Sequence, residues 1–311
     1  MTATGLLSKL TVGAVGLLCK TFLKIGYCSS VTVNGIENLL AALQSEERNQ
    51  GRGVVTISNH ISTLDEPVVW GILPARCYFN SRMTRWTLGA SDIMFTNPAF
   101  SSFFRNGQVL ETFRGSGIFQ PAVDTAAKKL NEGEWVHLFG EGKVNQPVID
   151  GFPHLLRFKW GVGRILMEAV IPPVIIPMWL EGFDKLMPEG RPSPLKFFPR
   201  PGADLSITFG KPIDDDEIRT ALGSLVRHHQ TPVVPKSSHG GMADPGRPQE
   251  EQKSAEVASH AWLGDAAFRT DRQKITEVAL QIASVRSAIT TLVQRNVEAL
   301  GREVMARRKY Y

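Results

Sequence analysis

Apolar residues recur along this chain with two different periods. From Ser30 to Gly35 the run S-V-T-V-N-G alternates and closes on Asn-Gly, which predicts a strand followed by a turn. Val54 to Ser58 (V-V-T-I-S) reads as a short buried strand leading into a loop over Asn59–Leu64. Asp65-Glu66-Pro67 then carries the signals of a helix start, with Asp as cap and Pro in the first turn. Pro121 to Leu130 predicts a helix, and Trp135 to Phe139 a buried strand running into Gly140-Glu141-Gly142. Phe158 to Val170 predicts an amphipathic helix stopped by Pro172-Pro173, and Val174 to Leu180 and Leu205 to Phe209 predict further strands. Strands alternating with helices indicate an α/β domain with a mainly parallel or mixed sheet surrounded by helices.

The two ends of the chain read differently. Between Leu6 and Ile25, the residues Lys9, Gly13, Gly16, Lys20 and Lys24 follow one another at helical spacing. This places the lysines on one helical face, with Leu6, Leu10, Leu17, Phe22 and Ile25 mostly elsewhere, and no acid precedes Glu37. Such a helix suits a bilayer interface, where lysines reach headgroups and leucines enter the acyl boundary. A cleaved targeting segment, or a helix packed on its own domain, has the same pattern. No run of about twenty uninterrupted apolar residues occurs, so a membrane-crossing helix is not expected. The chain therefore divides into a membrane-associating segment at 1–29 and a domain at 30–311. That domain is interrupted at about 227–259 by a proline-rich, polar stretch with too little apolar area to fold. Beyond it, Ile275, Val278, Ile282, Val285, Ile289 and Leu292 form the apolar seam of a long C-terminal helix, of the kind that packs on its own domain.

Composition narrows the chemistry mainly by exclusion. The 311 residues carry 42% hydrophobic side chains and a net charge of +5, ordinary for one folded domain with some preference for anionic partners. No helix of clustered Arg and Lys and no zinc-finger spacing points to nucleic acid. Cys19, Cys28 and Cys77 form neither a disulfide framework nor a C-x-x-C site, and His228, His229 and His239 lack nearby cysteines or carboxylates, so no metal site is expected. Phosphate-loop, dinucleotide, serine-nucleophile and zinc-protease motifs are all missing, so no cofactor is implied.

The strongest chemical signal is Asn59-His60-Ile61-Ser62-Thr63-Leu64-Asp65, an H-x4-D arrangement between a strand and a helix. Residues five apart on one helix point about 140° away from each other. They converge only across a turn, which the strand–loop–helix reading supplies. A carboxylate on one imidazole nitrogen fixes the tautomer and leaves the other nitrogen free to take a proton from a hydroxyl. Arg114, flanked by Gly115 and Gly117, offers a cation in a flexible loop suited to a phosphate, although a lone loop arginine is often only a surface charge. Glu141, Gly142, Lys143 and Asn145 form a polar turn after a strand, whose plain reading is a β-turn with a surface ion pair. Ile175-Ile176-Pro177 carries no chemistry alone.

In this order the four blocks resemble the glycerolipid acyltransferase superfamily. The runs N-H-x-S-x-x-D-x-P, Arg85-Trp86-Thr87-Leu88, R-G-x-G-I-F-Q, E-G-K-V-N and Arg157 to Arg164 (R-F-K-W-G-V-G-R) narrow the resemblance to its tafazzin family. Two positions depart from the family pattern: Gly140 stands where proline is usual, and Ser116 where many members have aspartate. The resemblance implies a coenzyme A-independent phospholipid–lysophospholipid transacylase that remodels cardiolipin. It would sit on one face of a mitochondrial membrane, towards the intermembrane space. His60 and Asp65 would be catalytic, and Arg114, Gly115, Gly117, Glu141, Gly142, Lys143 and Asn145 would contact substrate. An acyl-CoA-dependent lysophospholipid acyltransferase shares all four blocks, and a non-catalytic membrane-binding protein is the alternative of another class.

Overall fold

The computed structural model describes residues 3–146, 155–219 and 272–308, and the expected insert at 227–259 lies outside them. Seven strands make one sheet: β1 (Ser30–Asn34), β2 (Val54–Ser58), β3 (Trp86–Ala90), β4 (Val109–Thr112), β5 (Trp135–Phe139), β6 (Val174–Glu181) and β7 (Asp204–Phe209). Around it lie helices α1 (Ala3–Lys24), α2 (Ile36–Gln44), α3 (Asp65–Val69), α4 (Ser91–Met94), α5 (Pro98–Asn106), α6 (Pro121–Asn131), α7 (Trp160–Met167), α8 (Phe183–Leu186) and α9 (Arg272–Arg308).

The strand order is β1-β7-β6-β2-β5-β3-β4. β2 pairs parallel with β5 and β6, β3 pairs parallel with β5 and β4, and only β6 and β7 run antiparallel. The loops after β2, β3, β4, β5 and β6 therefore emerge at one edge of the sheet, where open α/β sheets bind ligands. Every residue of β2 is buried because the sheet is covered on both faces. Alternation sorts its side chains: Val54 joins Trp70, Trp135 and Ile176 on one face, while Val55 and Ile57 join Val123, Ile165 and Val293 on the other.

The strands expected at β1, β2, β5, β6 and β7 and the helix expected at α6 are present. α7 is shorter than the 158–170 helix expected. Lys159 is still extended, with its N–H donated to Gly140 O at 2.8 Å, so helical geometry begins one residue later. Asp65 is the first residue of α3 and not its cap. The capping position belongs to Leu64, and the Asp65 carboxylate turns back to the loop before it. The later half of the expected α9 seam, Val285, Ile289 and Leu292, packs on the domain, while the side chains of Ile275 and Val278 lie outside the described residues. Its fully buried positions are Ile289, Val293 and Val297, and Leu300 and Val304 extend it past Leu292.

α1 departs most from expectation. Gly5–Lys24 is long and apolar enough to cross a membrane by length and composition, although no uninterrupted apolar run exists. The helix also packs on its own domain through its small residues. A Cβ on Gly16 would lie 2.6 Å from the Tyr78 ring, and one on Gly71 would lie 2.7 Å from the Cys19 backbone. Lys20 belongs to this inward face and not to a solvent-facing lysine stripe. Its ammonium donates to Leu73 O at 2.7 Å and Gly71 O at 3.3 Å, satisfying carbonyls at the end of a 3₁₀ turn. Turned outwards instead are Leu6, Leu7, Leu10, Leu17, Leu18 and Ile25, all exposed.

Candidate active site

β2 ends at Ser58, and the chain turns at once. Asn59, fully buried, fixes that turn to the neighbouring strand, its amide donating to Leu180 O at 2.9 Å and accepting from Leu180 N at 2.8 Å. His60 follows, and its peptide is held on both sides. Its N–H donates to Glu141 Oε1 at 3.0 Å, and its carbonyl accepts from Asn145 N at 2.6 Å. The imidazole stacks on Phe139, with ring centroids 4.0 Å apart and planes 19° from parallel.

The turn over 61–64 brings Asp65 back to the histidine. Asp65 Oδ2 lies 3.0 Å from His60 Nδ1 and accepts from Ile61 N at 2.7 Å and Ser62 N at 2.8 Å. A carboxylate oxygen already taking two N–H donors requires Nδ1 to carry the proton, which leaves Nε2 as the basic nitrogen. The His60 side chain keeps 18% of its surface exposed, whereas Asp65 has none. Burial pushes the Asp65 carboxyl upward, against the pull of His60 and the two backbone donors. Such a carboxylate holds a shared proton tightly, and so stabilises imidazolium once Nε2 has accepted one.

Glu141 was expected in a surface turn facing substrate. It is instead 1% exposed, and both its oxygens accept hydrogen bonds from the surrounding chain. Oε1 accepts from His60 N, while Oε2 accepts from Asn145 Nδ2 at 2.7 Å and Leu156 N at 2.9 Å. Burial raises its pKa, partly offset by these three donors. Glu141 and Asn145 therefore brace the His60 peptide from both sides. Gly142, at φ +68°, and Lys143 are exposed next to them at the mouth of the site.

The Arg114 loop follows β4 at the same sheet edge. It stands three strand steps from β2, about 14 Å at the usual ~4.8 Å spacing. Gly115 and Gly117 both adopt left-handed φ, and Arg114 is half exposed, 3.3 Å from Asp92. His60, Asp65, Glu141 and Asn145 thus meet directly. Arg114, Gly115 and Gly117 share only their edge.

Beneath this pair lies a polar layer to which sequence reasoning assigned no role. Glu66 accepts from Arg85 Nε at 2.7 Å and from Trp70 Nε1 at 3.1 Å, and Arg85 Nη2 also reaches it. Burial pushes the Glu66 carboxyl up, but the Arg85 guanidinium outweighs it and holds the group below its ordinary value. His137, in β5, touches Phe139 edge-on at 4.6 Å, and its Nδ1 lies 2.9 Å from Thr56 Oγ1. Burial lowers its pKa to about 3, so it is neutral in the core. The signal for Arg85 was its place in the R-W-T-L run; nothing in W-V-H-L-F separates His137 from a filler. Gly140 has a steric cause, since a Cβ there would lie 2.5 Å from the Phe158 ring. Among the described residues, no group of three His, Cys, Asp or Glu side chains is placed to hold a metal ion.

Residues 30–181, which carry this His–Asp pair at the carboxyl edge of the sheet, match the Acyltransferase family. A protein of Dictyostelium discoideum named Taffazin is 37% identical over 216 residues, covering 68% of this chain and 71% of that one. Tafazzin of Saccharomyces cerevisiae is 33% identical over 266 residues, covering 73% and 68%. N-acylphosphatidylethanolamine synthase of Arabidopsis thaliana is 36% identical over 211 residues, covering 67% and 72%. The chain is an acyltransferase, and it belongs to the tafazzin family.

Proposed function

We propose that this enzyme exchanges fatty acyl chains between phospholipids and lysophospholipids, cardiolipin among them, without coenzyme A, on the intermembrane-space side of a mitochondrial membrane. The observation that carries the chemistry is the His60 Nδ1–Asp65 Oδ2 contact at 3.0 Å, which presents Nε2 as a base. Nε2 takes the proton of the lysolipid hydroxyl as its oxygen attacks the donor's ester carbonyl. Collapse of the tetrahedral intermediate breaks the ester bond, and His60 returns the proton to the departing alkoxide. The donor leaves as the new lysolipid. One ester replaces another, so the exchange is near isoenergetic and runs in both directions. Arg114, with Gly115 and Gly117, is assigned to a lipid phosphate, as is Lys143 beside Gly142. The exposed leucines of α1 are assigned to the membrane interface, and the domain proper to residues 30–311.

The test is transfer of labelled acyl chain from phosphatidylcholine to lysocardiolipin by purified protein, with chelator and without acyl-CoA. Wild type is expected to form product, and His60→Ala to lose it by about 10²–10⁴-fold while still binding vesicles. Product only when acyl-CoA is supplied would assign the chain to the thioester-dependent acyltransferases. The Arabidopsis relative's name favours a second acceptor, the amine of phosphatidylethanolamine, which the same assay examines with that lipid in place of lysocardiolipin.

A further inference from the structure

The turn that clamps His60 carries a cation from outside the four acyltransferase blocks. Lys159 lies in the extended stretch before α7, and its N–H is donated to Gly140 O at 2.8 Å. Its side chain then runs across the Gly142 backbone, with Cγ 3.0 Å and Cε 3.3 Å from where a Cβ on Gly142 would stand. Gly142 is at φ +68°, so both its conformation and the course of this lysine favour glycine there. Lys143 is the next residue, and Lys159 and Lys143 are both exposed. Neither forms an ion pair among the described residues. Glu141, the acid within the turn, is consumed by three N–H donors. Two ammonium groups beside the Gly142 backbone, with no acid paired to either among the described residues, suit an anion held between them.

The position of that turn identifies the anion. β5 is the immediate neighbour of β2, with Ser58 opposite Phe139, so the Lys143–Lys159 turn stands one strand step from His60. In a 2-lysophospholipid, one methylene and one oxygen separate the free hydroxyl's carbon from phosphorus. The group that holds this phosphate must therefore stand close to Nε2. The Arg114 loop, three strand steps from β2, lies further off.

We propose that Lys159, together with Lys143, forms a phosphate subsite beside His60 that takes the phosphodiester of the acceptor lysophospholipid. This rests on the reading of the site as a phospholipid transacylase. It assigns Lys159 a direct substrate contact and leaves Arg114 for a second lipid's phosphate.

Binding of a soluble acceptor tests this apart from turnover. Calorimetry would compare hexanoyl-lysophosphatidylglycerol, used as a monomer, with monohexanoylglycerol, which lacks the phosphate. Wild type is expected to prefer the phosphate-bearing probe. Lys159→Gln should weaken that binding by about tenfold, the loss of one charge-assisted hydrogen bond, and leave monohexanoylglycerol binding unchanged. Lys143→Gln should act likewise, and Lys159→Arg should restore most of the affinity. Because Lys159 is exposed, its variants should melt with wild type. Lys128→Gln, on the exposed face of α6, controls for net charge. Unchanged affinity in Lys159→Gln, or an equal loss in Lys128→Gln, overturns the subsite. If binding depends on Lys159 but no acyl transfer occurs, the transacylase reading falls and the phosphate subsite stands. If transfer occurs and binding ignores Lys159, only the subsite falls.

Discussion

Glu141→Gln is the most discriminating change to the clamp around His60. The two Glu141 oxygens take three N–H donors, one of them on His60 itself. A glutamine has one carbonyl oxygen to offer. If it faces Leu156 and Asn145, its amide nitrogen opposes the His60 N–H; if it faces His60, two donors elsewhere are left without an acceptor. Either way at least one hydrogen bond to a charged acceptor is lost, at about 1.5–3 kcal/mol each, partly offset because a carboxylate no longer has to be buried. In the first orientation the backbone of His60 is held from one side only, through Asn145 N, and in the second the Asn145 side chain and Leu156 N lose the acceptor that ties them to the turn. A displacement on the order of 1 Å costs about 10²-fold in rate, so kcat should fall by about 10- to 100-fold. KM should stay within about threefold, because no substrate contact is removed. Steady-state acyl transfer between short-chain monomeric lipids separates the two parameters. A raised KM with unchanged kcat would refute the positioning role and return Glu141 to the substrate.

Other consequences follow from burial and exposure. Replacing Leu10, Leu17 and Leu18 with Gln should lower partitioning to vesicles by at least about tenfold, since each buried leucine contributes about 1.5–3 kcal/mol. Anionic and neutral vesicles should lose binding alike in a flotation assay, and unchanged binding would remove this face from the interface. For His137, the folded value of about 3 against the ordinary 6.5 means that between those pH values the unfolded chain binds a proton the folded chain does not. Stability is unaffected above that window and falls as pH drops through it, by up to about 1.4 kcal/mol per pH unit. His137→Gln should flatten this acid limb in urea melts followed from pH 7 to pH 4; an identical slope would mean the ring titrates normally.

The strands at the sheet's centre were legible because burial on both faces leaves runs such as V-V-T-I-S and W-V-H-L-F, each ended by a turn. β3 is not legible as a strand, since W-T-L-G-A carries a glycine and only two of its residues are buried. β4 is four residues long at the sheet's edge, below the length at which alternation is informative. The convergence of His60 and Asp65 could be read because a strand, a turn and a helix start bracket them. The role of Glu141 could not: an acid between two glycines looks the same whether it faces solvent or backbone. What buries it is the segment at Leu156–Lys159 folding over the turn, a contact between distant parts of the chain. Lys20 misled for a related reason. Helical spacing put it with Lys9 and Lys24 but could not say which side of the helix the domain occupies.

The seat of α1 on the domain decides what kind of anchor it can be. A helix joined through a loose linker lets the attached enzyme tumble and sample many heights above a surface. Here Gly16 lies against the Tyr78 ring, the Cys19 backbone against Gly71, and Lys20 is bonded to two carbonyls of the turn beyond α3. That turn belongs to the segment that begins at His60, so the helix is packed directly onto the segment that carries the His60–Asp65 pair. On the membrane-bound reading proposed above, the depth to which the leucines sink would set the depth of Nε2, and acyl-chain selection would become partly a matter of where along the lipid the enzyme is held.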